Sequence, residues 1–142
     1  MKLGTIISAM LAAAAIAAPA AAQQRAPGPR VPIPVGYYVF AETACGAADS
    51  AMFYDGQRIH WLSSNAGERP TVETIQSVTR SGRGWAVVFR HDPSQLAADG
   101  PDSVPPGLEI HPAANGRYMI GQFAADEMKI CTRASLPAAL RR

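Results

Sequence analysis

Gly36-Tyr37-Tyr38-Val39-Phe40-Ala41-Glu42-Thr43-Ala44-Cys45 is the stretch whose reading decides the fold. Its density of aromatic and β-branched residues predicts a strand over Gly36 to Thr43. Strand alternation puts Tyr37, Val39, Ala41 and Thr43 on one face, and Tyr38, Phe40 and Glu42 on the other. Both faces are fairly apolar, so either both are covered or one presents aromatics to a partner. The stretch ends in one of only two cysteines, and the other, Cys131, lies near the far end of the chain. If the two are joined, everything between them lies inside one covalent loop.

The segment upstream says where such a bond could form. Lys2 is followed by an almost wholly apolar run, Ile6 to Ala18, and then by Ala20-Ala21-Ala22 before Gln23. That pattern reads as a secretory signal peptide over 1–22, too short in its apolar run to be a spanning helix. The mature chain is therefore expected to be periplasmic or secreted, with no membrane span. In an exported chain of this size two cysteines most simply form one disulfide, Cys45–Cys131. Cleavage after Ala22 leaves 120 of the 142 residues, enough for a single domain. Without Lys2 the 13 basic residues become 12 against 11 acidic ones. That near-neutral balance argues against nucleic acid or another polyanion as partner.

Residues 23–35 carry Pro27, Pro29, Pro32 and Pro34 and read as a proline-rich linker in extended polyproline conformation. The domain proper is expected over 36–133, with 134–142 a tail that frays. Within the domain, Asp55-Gly56 is the residue pair a type I′ turn requires. A two-residue turn there sets Tyr54 opposite Gln57 and Met52 opposite Ile59. Met52, Tyr54, Ile59 and Trp61 then face the core, while Phe53, Arg58, His60 and Leu62 face outward. A second hairpin is read around Ser81-Gly82-Arg83-Gly84, with Val78 opposite Val87, Gln76 opposite Phe89 and Arg80 opposite Trp85. Its first half also fits a helical period, with apolar residues at 72, 75 and 78.

Asp92-Pro93 followed by Gly100 predicts one short helical turn, capped by Asp92 and stopped by the glycine. Pro105-Pro106 then bars any ladder, so Asp92 to Gly107 is a long insertion between strands. The third hairpin is centred on Asn115-Gly116, which sets Met119 opposite Pro112, Gly121 opposite Ile110 and Phe123 opposite Leu108. That register makes Met119, Gly121 and Phe123 inner, and Tyr118, Ile120 and Gln122 outer. About eight short strands joined mostly by hairpins give an all-β fold. A disulfide between the first and last strands favours a small antiparallel barrel, with a β-sandwich as the alternative.

Chemistry is harder to find than architecture. His60, His91 and His111 each fall at or near the end of a different strand, and if they converged they would offer a three-imidazole metal or small-ligand site. No two of them have metal-ligand spacing, the cysteines show no Cys-x-x-Cys, and Ser81-Gly82-Arg83-Gly84 precedes no helix that could cradle phosphate. No cofactor is expected. No Gly-x-Ser-x-Gly or facing carboxylate pair marks a catalytic centre, although a small envelope hydrolase with an unmarked site stays open. The remaining lead is a surface patch of Tyr38, Phe40, Phe53, Arg58 and His60 on the faces read as outer.

Gly36-x-Tyr38-Val39, Cys45 followed by Ala48, and Tyr54-Asp55-Gly56 with Ile59 resemble the opening of small secreted single-disulfide proteins of Gram-negative bacteria. No activity attaches to that family, so the resemblance implies no functional residue. In general plan the chain is also similar to small periplasmic inhibitor barrels, such as those acting on proteases or lysozyme. The expectation is a non-enzymatic binding or inhibitor-like module whose partner is an envelope protein or a small ligand.

Overall fold

The computed structural model describes residues 28–100 and 102–141, so the leader expected over 1–22 and the start of the proline-rich segment lie outside them. Eight strands follow one another: β1 Gly36–Phe40, β2 Ser50–Tyr54, β3 Arg58–Ser63, β4 Thr71–Ser81, β5 Gly84–Phe89, β6 Gly107–Pro112, β7 Tyr118–Gly121 and β8 Asp126–Cys131. A short α-helix, α1 Pro93–Ala98, lies between β5 and β6. Each strand pairs with the next, and β1 pairs antiparallel with β8 from Tyr37↔Cys131 to Phe40↔Met128. The sheet is therefore a closed barrel, and the sandwich alternative is excluded. Cys45 and Cys131 are bonded to each other, fastening the loop after β1 to the end of β8.

Because all neighbours are antiparallel, the connections alternate between the two ends of the barrel. One end receives the β2–β3, β4–β5 and β6–β7 turns and the chain entering β1. It is closed from within, because Val31 and Ile33 of the proline-rich segment are buried in the same cluster as Tyr38, Met52, Tyr54, Ile59, Ile110 and Ile120. The expected linker is thus a plug. Pro32 and Pro34 stay exposed while Val31 and Ile33, alternating with them, turn inward, so the polar groups of the two buried residues need partners. Those partners are core tyrosines. Tyr54 Oη accepts from the Val31 N–H at 2.9 Å and reaches the carbonyls of Val31 and Gly56, each at 3.1 Å. The Tyr38 hydroxyl donates to the carbonyl of Pro34.

A second cluster lies outside the wall. Tyr37, Val39, Ala51, Leu62 and Cys131 are covered there by Ala48, Leu136 and Leu140. The tail expected to fray does the opposite: Leu136 and Leu140 are 1% and 0% exposed. The outward face of β1 and β2 is too apolar to be left in water, and β8 delivers the chain beside it.

The registers differ from expectation in instructive ways. In the first hairpin Tyr54 faces Ile59 and Met52 faces Trp61. The Asp55 carboxylate accepts the N–H groups of Gln57 and Arg58 at 2.9 and 2.7 Å, widening the loop by two residues. An even slip leaves every side chain on its expected face. The second hairpin keeps Val78↔Val87 and Arg80↔Trp85, but Phe89 faces Ile75 because the ladder is irregular between Ile75 and Ser77. This bulge puts Ile75 and Val78, three apart, into the same interior cluster, which is why the strand carried a helix-like spacing. β4 also divides its neighbours: Thr71 to Thr74 pair with β3, whereas Ile75 to Ser81 pair with β5.

In the third hairpin the slip is odd. Asn115 and Gly116 both take positive φ, but Ala114 joins them in the loop, and the Ala113 N–H donates to the Arg117 carbonyl at 2.9 Å. Ile110 then faces Ile120, and Pro112 faces Tyr118. A one-residue change turns the strand over. Ile120 is buried inside rather than outside, Met119 lies on the opposite face, and Phe123 falls beyond the ladder, 88% exposed.

The disulfide closes a loop of sequence separation 86, for which chain entropy gives about 4–5 kcal/mol. Reduction, or Cys45→Ala with Cys131→Ala, should lower the melting temperature by about 10 °C or more, measured by circular dichroism with and without reductant. An unchanged melting point would refute the closure argument. Tyr54→Phe should destabilise by about 1–3 kcal/mol, because it strands the Val31 N–H inside the barrel. Urea unfolding of the variant checks this.

Candidate functional site

The patch read from sequence separates into three parts. Tyr38 is not on the surface: it is 0% exposed, and its ring meets Tyr118 edge-on at 5.7 Å. Burial, and then the neighbouring phenols of Tyr118 and Tyr54, push its pKa well above the ordinary tyrosine range. Closure of the barrel decided between two apolar faces of β1 and turned this one inward. Phe40, two residues on, reaches the opposite end of the barrel and is 38% exposed at the rim, where it pairs with Met128.

Phe53, Arg58 and His60 do come together, on the outer wall at the plugged end. Tyr37, Phe53 and His60 occupy matched positions on β1, β2 and β3. The rings of Tyr37 and Phe53 stack at 4.5 Å, and Phe53 meets His60 at 5.4 Å. Asp55 organises the polar side, with its Oδ2 2.9 Å from Arg58 Nε and 3.1 Å from His60 Nε2. Partial desolvation pushes the Asp55 carboxyl up. The hydrogen bonds from the Gln57 N–H, from His60 and from Arg58 outweigh it and hold the pKa at about 2.

The three histidines keep separate company. His60 is held by Asp55, His91 Nδ1 lies 2.9 Å from the Phe89 carbonyl, and His111 Nε2 lies 3.3 Å from Glu109. Among the described residues no three His, Cys, Asp or Glu side chains form a group able to hold a metal ion. The converging three-histidine site read from sequence is therefore not formed.

The features that sequence reading missed lie at the unplugged end. Trp61 sits at its mouth and donates its indole N–H to Glu73 at 3.2 Å. A cleft of about 250 Å³ runs from Trp61 and Glu73 past Phe89 to Gly107 and Gln122. It shares Gly107, Leu108 and Gln122 as lining with a second cleft of about 290 Å³, reaching Val104, Pro105 and Phe123. On the other side Trp61 adjoins a small hollow beneath Phe40, Met52 and Met128. Val104 and Phe123 are 79% and 88% exposed.

Neither projection is loose chain. Phe123 precedes Ala124, whose φ of 48° is a left-handed conformation that costs a non-glycine residue about 1 kcal/mol. The Ala124 N–H donates to the Gly121 carbonyl at 3.1 Å, fixing the turn. The insertion bearing Val104 contains α1, where Asp92 accepts the Ser94 N–H at 2.8 Å as the expected cap. Ser103 Oγ ties the insertion together through the carbonyls of Leu96 and Gly100, at 2.6 and 2.9 Å. The sequence carried no signal for this rim, because Phe123 leaves its expected inner position only through the odd register of β7.

Asp55 gives a pH signature. Its folded pKa lies below the ordinary 3.8, so its contribution to stability is complete above about pH 4 and is lost as pH falls toward 2. Solvent screening at this surface site limits the effect to on the order of 1 kcal/mol. Asp55→Asn should melt lower at neutral pH and lose less on acidification than the parent. Melting temperatures of both proteins between pH 5 and pH 2 check this, and parallel curves would contradict it. No family model, curated protein or solved structure compared with the chain matches it.

Proposed function

We propose that this chain is a secreted or periplasmic, non-enzymatic binding module that grips an envelope protein with the unplugged rim of its barrel, in the manner of an inhibitor. The observation that carries this reading is the rim itself: Phe40, Trp61, Val104 and Phe123 line neighbouring clefts at one end, while the opposite end is filled by the chain's own residues. Exposed aromatic anchors beside pockets are the usual carriers of binding energy. The strained turn beneath Phe123 supports the reading, because backbone strain of this kind clusters at functional positions. Export is supported by the leader pattern over 1–22 and by the Cys45–Cys131 bond.

The charge around the rim narrows the partner. The connections at this end carry Glu42, Asp49, Glu68, Asp92, Asp99 and Asp102 against Arg69 and Arg90. An apolar centre ringed by carboxylates suits a protein whose own apolar cleft has a basic border. Such complementarity speeds association and makes it sensitive to salt.

Immobilised protein should capture a partner from an envelope extract at physiological salt. Phe123→Asp with Val104→Asp should abolish the capture, and Val35→Asp at the plugged end should leave it intact. Capture of nothing, or capture that the rim variant retains, would overturn the proposal.

A further inference from the structure

The near-neutral composition conceals a polar molecule. At the plugged end lie Arg30 in the arm, Arg58 at the start of β3, Arg80 and Arg83 at the β4–β5 turn, Arg117 after the β6–β7 loop and Arg133 just beyond β8. Asp55 answers Arg58, and Glu127 answers Arg117 at 3.2 Å. Arg30, Arg80, Arg83 and Arg133 are all exposed, and the guanidinium of Arg80 lies 5.4 Å over the Trp85 ring. The same end exposes two aliphatic side chains, Val35 at 60% and Ile130 at 44%. They flank a mostly apolar cleft of about 430 Å³ that also touches Tyr37, Phe53 and Arg133.

We infer that this end docks the protein on an anionic phospholipid bilayer, with the arginines among the headgroups and Val35 and Ile130 at the boundary with the acyl chains. The inference is independent of the rim reading. Each arginine held near an anionic leaflet strengthens association by about fivefold, an effect confined to roughly a Debye length. The arginines therefore act only if they share one face, which the alternation of connections in this barrel ensures. The aliphatic pair distinguishes a bilayer from a soluble polyanion, since a polyanion gains little from Val35 or Ile130. The six carboxylates of the opposite rim are repelled by the same surface. The molecule is thereby oriented with its rim facing away from the lipid.

The test is flotation of the purified protein with phosphatidylglycerol–phosphatidylcholine vesicles and with phosphatidylcholine vesicles, at low salt and at about 0.5 M salt, where screening is nearly complete. Association is expected with the anionic vesicles alone, and it should be lost at high salt. Arg30→Glu with Arg83→Glu should weaken it at least tenfold. Val35→Asp should weaken it several-fold while leaving the melting curve in place, and Ala125→Asp in the exposed β7–β8 turn at the far end should preserve it. No association with anionic vesicles at low salt would overturn the inference, as would equal association with neutral ones. So would heparin binding as tight as vesicle binding and indifferent to Val35→Asp, which would mark a general polyanion surface. A concentration-dependent dimer broken by Val35→Asp would overturn it in favour of a second copy of the chain.

Discussion

The seam between β1 and β8 is the constraint from which the rest of the structure follows. Once Tyr37 to Phe40 are paired with Cys131 to Met128, each strand has a neighbour on both sides and the sheet has an inside and an outside. The inside takes Tyr38. The outside is left with Tyr37 and Val39, which need cover of their own, and the chain leaving Cys131 supplies it with Leu136 and Leu140. The disulfide holds the loop after β1 against the same place. A first strand that is apolar on both faces is thus explained by its position between a core and an overlying tail.

Much of the architecture was legible because hairpin chemistry is local. Asp55-Gly56, Ser81 to Gly84 and Asn115-Gly116 each mark a real reversal of the chain, and closure of the barrel followed from the placement of the cysteines. Side-chain direction was legible only as far as loop length was. The extra pair of residues at Asp55 preserved the faces of β2 and β3, whereas the single extra residue at Ala114 inverted β7. The apolar triplet at 72, 75 and 78 looked ambiguous because a bulge imitates helical spacing. The arm was read as solvated because prolines cannot enter a ladder, yet Pro32 and Pro34 stay exposed while Val31 and Ile33, alternating with them, enter the core.

The candidate site was less legible still. Tyr38 and Phe53 both looked like surface aromatics, and nothing short of the closed barrel separates the one that fills the core from the one that stacks on Tyr37. Phe123 was assigned to the interior by a register one residue out. Net charge, a single sum over the chain, carried no trace of the arginines gathering at one end and the carboxylates at the other. The resulting molecule has two ends of different character, one filled and basic, the other open, apolar at its centre and acidic around it. Eight short strands suffice for this because alternate connections are free to differ in composition.

The divided pairing of β4 has a further consequence. Its ladder to β3 stops at Arg58↔Thr74, followed by one bond from the Ile75 N–H to the Gln57 carbonyl, while its ladder to β5 continues to Ser81. The lower half of β4 therefore runs past the end of β3 with no strand of the described residues paired to one side of its backbone. A closed barrel has no edge in principle, but this one keeps a short edge of its own. The residues along it are Gln76, Ser77, Thr79, Arg80 and Ser81, with Val78 turned into the core cluster. Hydroxyls, an amide and a fixed positive charge make poor templates for a strand from another molecule. The composition of that half-strand is what keeps the barrel from growing by one strand at a time.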